Sequence, residues 1–162
     1  MVKLSGQDKN SVLYNLRKQF EHEKMLLDSL LNNVPDFIYF KDLNSKFIRN
    51  SIAHILRFGK SKQEELTGLS DFDFHGDHAK EAYHDEQEII KTGTPLINLV
   101  QRADLKNGEF KFLSTSKMPL KNADGQIIGT FGISKDITDF KLAEIRANEL
   151  EQKLAQLENQ HA

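Results

Sequence analysis

Four of the six histidines, His54, His75, His78 and His84, fall between residues 54 and 84, and Asp73 with His75 and His84 with Asp85 come closest to acid–base pairs. An imidazole beside a carboxylate is the minimum for general acid–base chemistry or metal ligation. Neither pair belongs to a larger catalytic pattern. The chain has no Gly-rich phosphate loop, no metal-spaced carboxylate cluster and no kinase or cyclase signature, so the expectation is a protein that is not an enzyme. It has no cysteine, which excludes disulfides, thiolate metal sites and cysteine nucleophiles. The other suggestive run is Asp136-Ile137-Thr138, where a β-branched, Gly-containing segment meets a charged helical one. Asp and Thr side chains can bond the backbone at such a strand-to-helix junction while Ile137 packs into the core.

The elements that would position these groups must fit 162 residues, enough for one domain with helical extensions. Net charge is −2, from 22 basic against 24 acidic residues, which offers no electrostatic case for nucleic acid or an anionic membrane. No apolar run reaches the roughly 18 residues of a membrane span, and residues 1–10 lack the apolar stretch of a signal peptide. A cytoplasmic location, no direct membrane contact and no nucleic-acid partner are therefore expected.

Leu13, Leu16, Phe20, Leu27, Leu30 and Val34 recur at helical spacing, which predicts an amphipathic helix over 11–33 with Ser11 as its N-cap, ended by Pro35. Residues 37–41 and 46–50 read as a hairpin about the Asp42–Ser45 turn. A short helix from Ile52 stops at Gly59, Ser61 and Glu64 form a capping box, and a helix over 78–91 stops at Gly93. Period-two strands follow over 96–102, 110–117 and 127–134, separated by turns at 106–108 and 123–125. Phe140, Ala143, Ala147, Leu150, Leu154 and Leu157 then mark about two and a half heptads. Two strands, several helices and three strands are met most economically by an α+β fold: a five-stranded antiparallel sheet with helices on one face, plus helices at both ends.

This order of pieces resembles the PAS sensor family. Leu30–Asp42 resembles the start of such a domain, Phe58–Gly68 the segment around its pocket, and Ser70–Phe74 and Thr92–Leu96 the flanks of its long helix. Asp136-Ile137-Thr138 matches the family's coupling motif between the last strand and a C-terminal signalling helix. The resemblance implies an N-terminal helix over 1–33, a PAS domain over 34–138 and a signalling coiled coil over 139–162. It also implies a ligand cavity between sheet and helices, with Phe40, Phe47, Ile55, Leu56, Phe72, Phe112, Ser114 and Phe131 as its expected walls. The alternative is that these eight are ordinary core residues. An occupant would be a small, mostly apolar organic molecule, or the cavity would hold nothing.

Haem-binding relatives place an axial histidine on the long helix, and His84 is the candidate here. Its offset from the position those sensors use turns the side chain by about 200°, which counts against haem. Without cysteine there is no cysteine-linked flavin or chromophore. The function expected is a sensory module that forms a homodimer through Leu16, Phe20 and Leu27 of the first helix and Leu150, Leu154 and Leu157 of the last. It would regulate an attached output domain, such as a diguanylate cyclase or the histidine kinase of a two-component system. The alternatives are a haem-bound gas or redox sensor and a ligand-free dimerisation spacer.

Overall fold

The computed structural model describes residues 6–74, 76–104 and 108–160; His75 and the 106–107 part of the expected turn lie outside them. The chain runs α1 (Gly6–Asn33), β1 (Phe37–Asp42), β2 (Phe47–Asn50), α2 (Ile52–Arg57), two single 3₁₀ turns (Gln63–Glu65 and Asp71–Asp73), α3 (Gly76–Thr92), β3 (Leu96–Asp104), β4 (Phe110–Lys121), β5 (Ile127–Asp136) and α4 (Thr138–Gln160). The sheet is antiparallel throughout, in the order β2-β1-β5-β4-β3. The first and last strands of the domain are therefore central neighbours, with Phe37 opposite Ser134 and Asp42 opposite Gly129. The expected five-stranded α+β architecture with both terminal helices is present.

Several local expectations shift. α1 is already helical at Gly6, so Ser11 lies in its interior instead of capping it. The carboxylate that closes the turn after Gly59 belongs to Glu65, not Glu64; it accepts from the Ser61 and Lys62 amides and from the Ser61 hydroxyl. α2 is capped by Ser51, whose hydroxyl accepts from the Ile38 and His54 amides and donates to the Asp36 carbonyl, stitching β1 to the helix start. At the β4–β5 hairpin, the Asn122 carboxamide accepts from the Asp124 and Gln126 amides, and Gly125 supplies the positive φ of 79° that the turn requires.

Tyr39, Phe47, Ile55 and Leu66 form the buried apolar cluster, with Phe58, Leu69 and Phe74 packed against it. The terminal helices stand outside this core. α1 is held at its C-terminal end by buried Leu31 and an Asp28–Arg49 ion pair. Leu16, Phe20, Leu27, Leu150, Leu154 and Leu157, the residues expected at a dimer seam, are all exposed on the single chain.

The pairing of β1 with β5 depends on a close approach at Gly129, where a Cβ would overlap the carbonyl oxygen of Lys41. Gly129→Ala should cost about 2 kcal/mol, within the range of overpacked sites, and lower Tm by several degrees in thermal denaturation.

Candidate ligand cavity

Side chains alternate across a strand, so one residue decides which set faces the helices. On β1 the inward set is Phe37, Tyr39 and Lys41, on β4 Leu113, Thr115 and Lys117, and on β5 Ser134. Together with α2, the second 3₁₀ turn and α3, they enclose a cavity of about 670 Å³. Its apolar wall is aromatic: Phe58 packs on Phe74 with ring centroids 4.4 Å apart, and Phe37 carries the Arg57 guanidinium at 4.8 Å.

The polar wall is built around two buried lysines. Lys41 is 1% exposed and donates to Asp71, on the second 3₁₀ turn, and to Glu86 Oε1 on α3 at 2.5 Å. Its ammonium also sits 4.8 Å from the Phe47 ring centroid and 5.2 Å from that of Tyr39. Lys117 donates to Asp85 Oδ2 at 3.0 Å and to the Ala82 carbonyl at 3.4 Å. Burial pushes the Glu86 carboxyl above its usual range, against the pull of Lys41, and its Oε2 has no hydrogen-bond partner. The Tyr39 phenol is raised well above its ordinary value, first by burial and then by the charges of Glu86, Asp71 and Asp85. His54 stacks on Tyr39 at 5.2 Å, and its Nδ1 accepts from the Asn50 carboxamide at 2.8 Å. Gln63 fixes that carboxamide, donating to Asn50 Oδ1 and accepting from the Asn50 amide.

Of the eight expected wall residues, the structure places Phe47 in the cavity. Phe40 and Phe131 stack on each other on the opposite sheet face, with centroids 5.8 Å apart, and Phe112 and Ser114 share that outer parity. Ile55 belongs to the buried cluster, Leu56 is exposed, and Phe72 is an exposed ring packed on Tyr83. The correction has one cause. Lys41 and Lys117 read as solvent positions, so the alternation puts the large apolar residues between them inward, whereas the helices supply carboxylates that make the lysine face the inner one. Tyr39, Lys41, Glu86 and Lys117 were thus missed, and the signal for the charged three was the run of six acidic residues at 71–86 against a single lysine. His84 is exposed on α3 and does not line the cavity. Among the described residues no group of three or more His, Cys, Asp or Glu side chains could hold a metal ion.

Ser134 connects the cavity to the exit of the domain. It lines the wall, shares a 2.9 Å hydroxyl–hydroxyl hydrogen bond with Thr115, and precedes Asp136 by one turn of the pleat. Asp136 Oδ1 accepts from the Thr138 amide at 3.0 Å and the Thr138 hydroxyl at 2.6 Å, while Oδ2 accepts from Lys111 at 2.7 Å. Partial burial opposes ionisation of Asp136, but the bonds from Lys111 and Thr138 hold its pKa below the usual range. The Phe112 amide donates to the Thr138 hydroxyl, and the Ile137 amide donates to the Phe112 carbonyl. Asp136, not Thr138, caps α4, and Thr138 ties the helix start back to β4.

The profile of the family described as the PAS fold matches residues 31–142. The chain belongs to the PAS family. A PAS-domain protein of this kind is sensory. A diguanylate cyclase of Vibrio cholerae is 25% identical over 151 residues, which take in 91% of this chain and 44% of that protein. VqmA of the same genus, solved as a ligand–DNA complex, is 25% identical with a TM-score of 0.63, the match covering 71% of this chain and 52% of VqmA. The PAS domain of Bordetella pertussis BvgS, at 20% identity and a TM-score of 0.59, matches the fold over 86% of this chain and 98% of that domain. The PAS chain thus spans about half, or less, of the cyclase and of VqmA. The expected absence of a nucleic-acid partner finds no support here: VqmA is a DNA-bound relative, and a net charge of −2 speaks only for this segment. Among the described residues no helix is long and apolar enough to cross a membrane.

Removing Lys41 would strand two carboxylates in the wall. Lys41→Met should destabilise the domain by about 3–5 kcal/mol, and Glu86→Gln in the same chain should recover a large part of it. The sign with pH follows from the raised pKa of Glu86: its ionised form is the costly one, so the variant's deficit should be smallest at acidic pH and grow as pH rises through that pKa. Urea titrations of the three proteins across pH measure both effects.

Proposed function

We propose that this PAS domain senses a small organic molecule in the cavity between sheet and helices, and passes its occupancy along β5 to α4 and an output domain attached beyond it. The observation that carries the reading is the continuity of Ser134 in the cavity wall, Asp136 at the strand end and Thr138 at the helix start. A ligand that moves β4 relative to β5 changes the frame on which α4 is mounted. The VqmA relative was solved with a ligand, and the cyclase relative aligns with enough of this chain to include parts of both terminal helices. A diguanylate cyclase is the favoured output on that basis. The working unit is a homodimer: Leu16, Phe20 and Leu27 on α1, with Leu150, Leu154 and Leu157 on α4, are apolar stripes that the single chain leaves exposed. Mass spectrometry of molecules extracted from the purified protein tests the sensing itself, and recovery of none would contradict it.

Light scattering should give twice the chain mass for the full sequence. Leu150→Glu with Leu154→Glu should give a monomer, and an unaltered dimer would remove α4 from the interface. Asp136→Ala, which removes the cap, and Thr138→Ala, which removes the tie to β4, should each cost only about 1 kcal/mol, yet change the activity of a cyclase fused after α4. Unchanged output from both variants would reduce the junction to a cap.

A further inference from the structure

Two side chains that are each 1% exposed carry a buried polar atom with no hydrogen-bond partner among the described residues: Glu86 Oε2 on α3 and Thr130 Oγ1 on β5. Orphaned atoms of this kind cost free energy, and these two lie at the same level of the interface between α3 and the sheet. At one end of that interface, a Cβ at Gly93 would lie 3.6 Å from Ile127. At the other, Lys117, paired with Gly132, reaches the Ala82 carbonyl and Asp85. Glu86, between Asp85 and Gly93, is thereby set over β5 between Ile127 and Gly132, where Thr130 shares the inward parity of Gly132 and Ser134. Thr130 is also the register partner of Lys41, whose ammonium holds Glu86 Oε1.

The two carboxylates on Lys41 are not equivalent. Asp71 keeps 17% of its side chain open to water, Glu86 1%. One ammonium cannot fully offset two negative charges, and the carboxylate shut off from water is the one that loses most by being ionised. We propose that Glu86 is a proton-binding site: Oε2 is protonated and donates to the Thr130 hydroxyl, so that the domain responds to acidity as a second input. The site needs no occupant in the cavity. In the ionised form Glu86 grips β1 alone, through Lys41. In the acid form Oε1 still accepts from Lys41, and the new bond ties α3 to β5, the strand that ends at Asp136. The groups facing Glu86 agree with this. Burial raises its pKa, Lys41 and the nearby Ser45 hydroxyl pull the other way, and Asp71 of the second 3₁₀ turn adds to the rise. From β4, Lys117 is engaged by Asp85 of α3, and from β1 the Tyr39 phenol is held neutral. Arg57 of α2 stands over the Phe37 ring and acts on Asp71. The inward residues of β5 here, Thr130, Gly132 and Ser134, do not ionise.

Carboxyl carbon NMR of the full chain from acidic to neutral pH, assigned through bonds from the Glu86 backbone, reads the site directly. Glu86 should titrate above the ordinary glutamate value of about 4.3, and the amide shifts of Thr130 and of residues 134–138 should follow the same midpoint. Asp136, held below its usual range, titrates apart from it. Thr130→Val keeps the shape and removes the acceptor, so it should move the Glu86 midpoint down. Glu86→Gln is a fixed mimic of the acid form and should abolish the response of β5. A native pKa raised above the unfolded one favours folding below the unfolded value, and that contribution is lost as pH rises through the native pKa. Across that window the unfolding constant of the parent should therefore rise, relative to Glu86→Gln, by up to about tenfold per pH unit. A Glu86 midpoint at or below the ordinary value, a midpoint that Thr130→Val leaves in place, or β5 amides that do not follow Glu86 overturns the proposal. The parent titration decides alone where a variant fails to fold. Recovery or absence of an extracted molecule bears on ligand sensing and leaves the proton site standing.

Discussion

Lys41 bound between Asp71 and Glu86 is the interaction on which the rest of the domain turns. It joins three elements: the central strand β1, the second 3₁₀ turn, and α3. An ammonium removed from water is tolerable only with its charge matched and its donors used, and here both conditions are met by side chains from the helical cover. The clasp therefore sets how far the helices stand from the sheet. An apolar residue at position 41 would permit a tighter, dry core; the lysine with its carboxylates props open a space with polar walls.

The same clasp explains the electrostatics of its neighbours. Glu86 is raised by burial, and Tyr39, lying against the Lys41 ammonium and close to three carboxylates, is held as a neutral phenol. Charges matched in this way make the cavity polar without giving it a net sign. The aromatic side, from Phe37 to Phe74, supplies dispersion and area. The result is a site with orientation-specific polar groups set in an otherwise apolar enclosure, the usual arrangement for small-molecule recognition.

The transmission proposed above would run through the sheet's topology. β5 lies between β1 and β4, so it borders both the strand that carries Lys41 and the strand that carries Lys117. It then leads directly into Asp136, whose carboxylate caps α4 and is held by Lys111 of β4. On the proposed function, a shift of β4 against β5 is felt at the first turn of α4, whose leucines are exposed on the single chain. In that proposal, rigid strands meeting a short hydrogen-bonded junction convert small movements in the wall into a change of helix direction.

By itself the sequence determined the element order, the strand and helix types, the turn at 123–125 and the Asp136–Thr138 junction. All of these rest on local physics: periodicity, capping and residues that tolerate a turn. It also carried enough of the PAS pattern to place the fold. The tertiary structure alone decided which face of the sheet is inside. Phe40, Phe112 and Phe131 have the composition of a core and lie on the outer face, while Lys41 and Lys117 have the composition of a surface and line the cavity. Strand alternation yields two faces and no preference between them once both carry apolar residues. The choice depended on Asp71, Asp85 and Glu86, residues tens of positions away in sequence that meet the lysines only when α3 folds across the sheet, and on Gly132, whose missing side chain makes room for Tyr39.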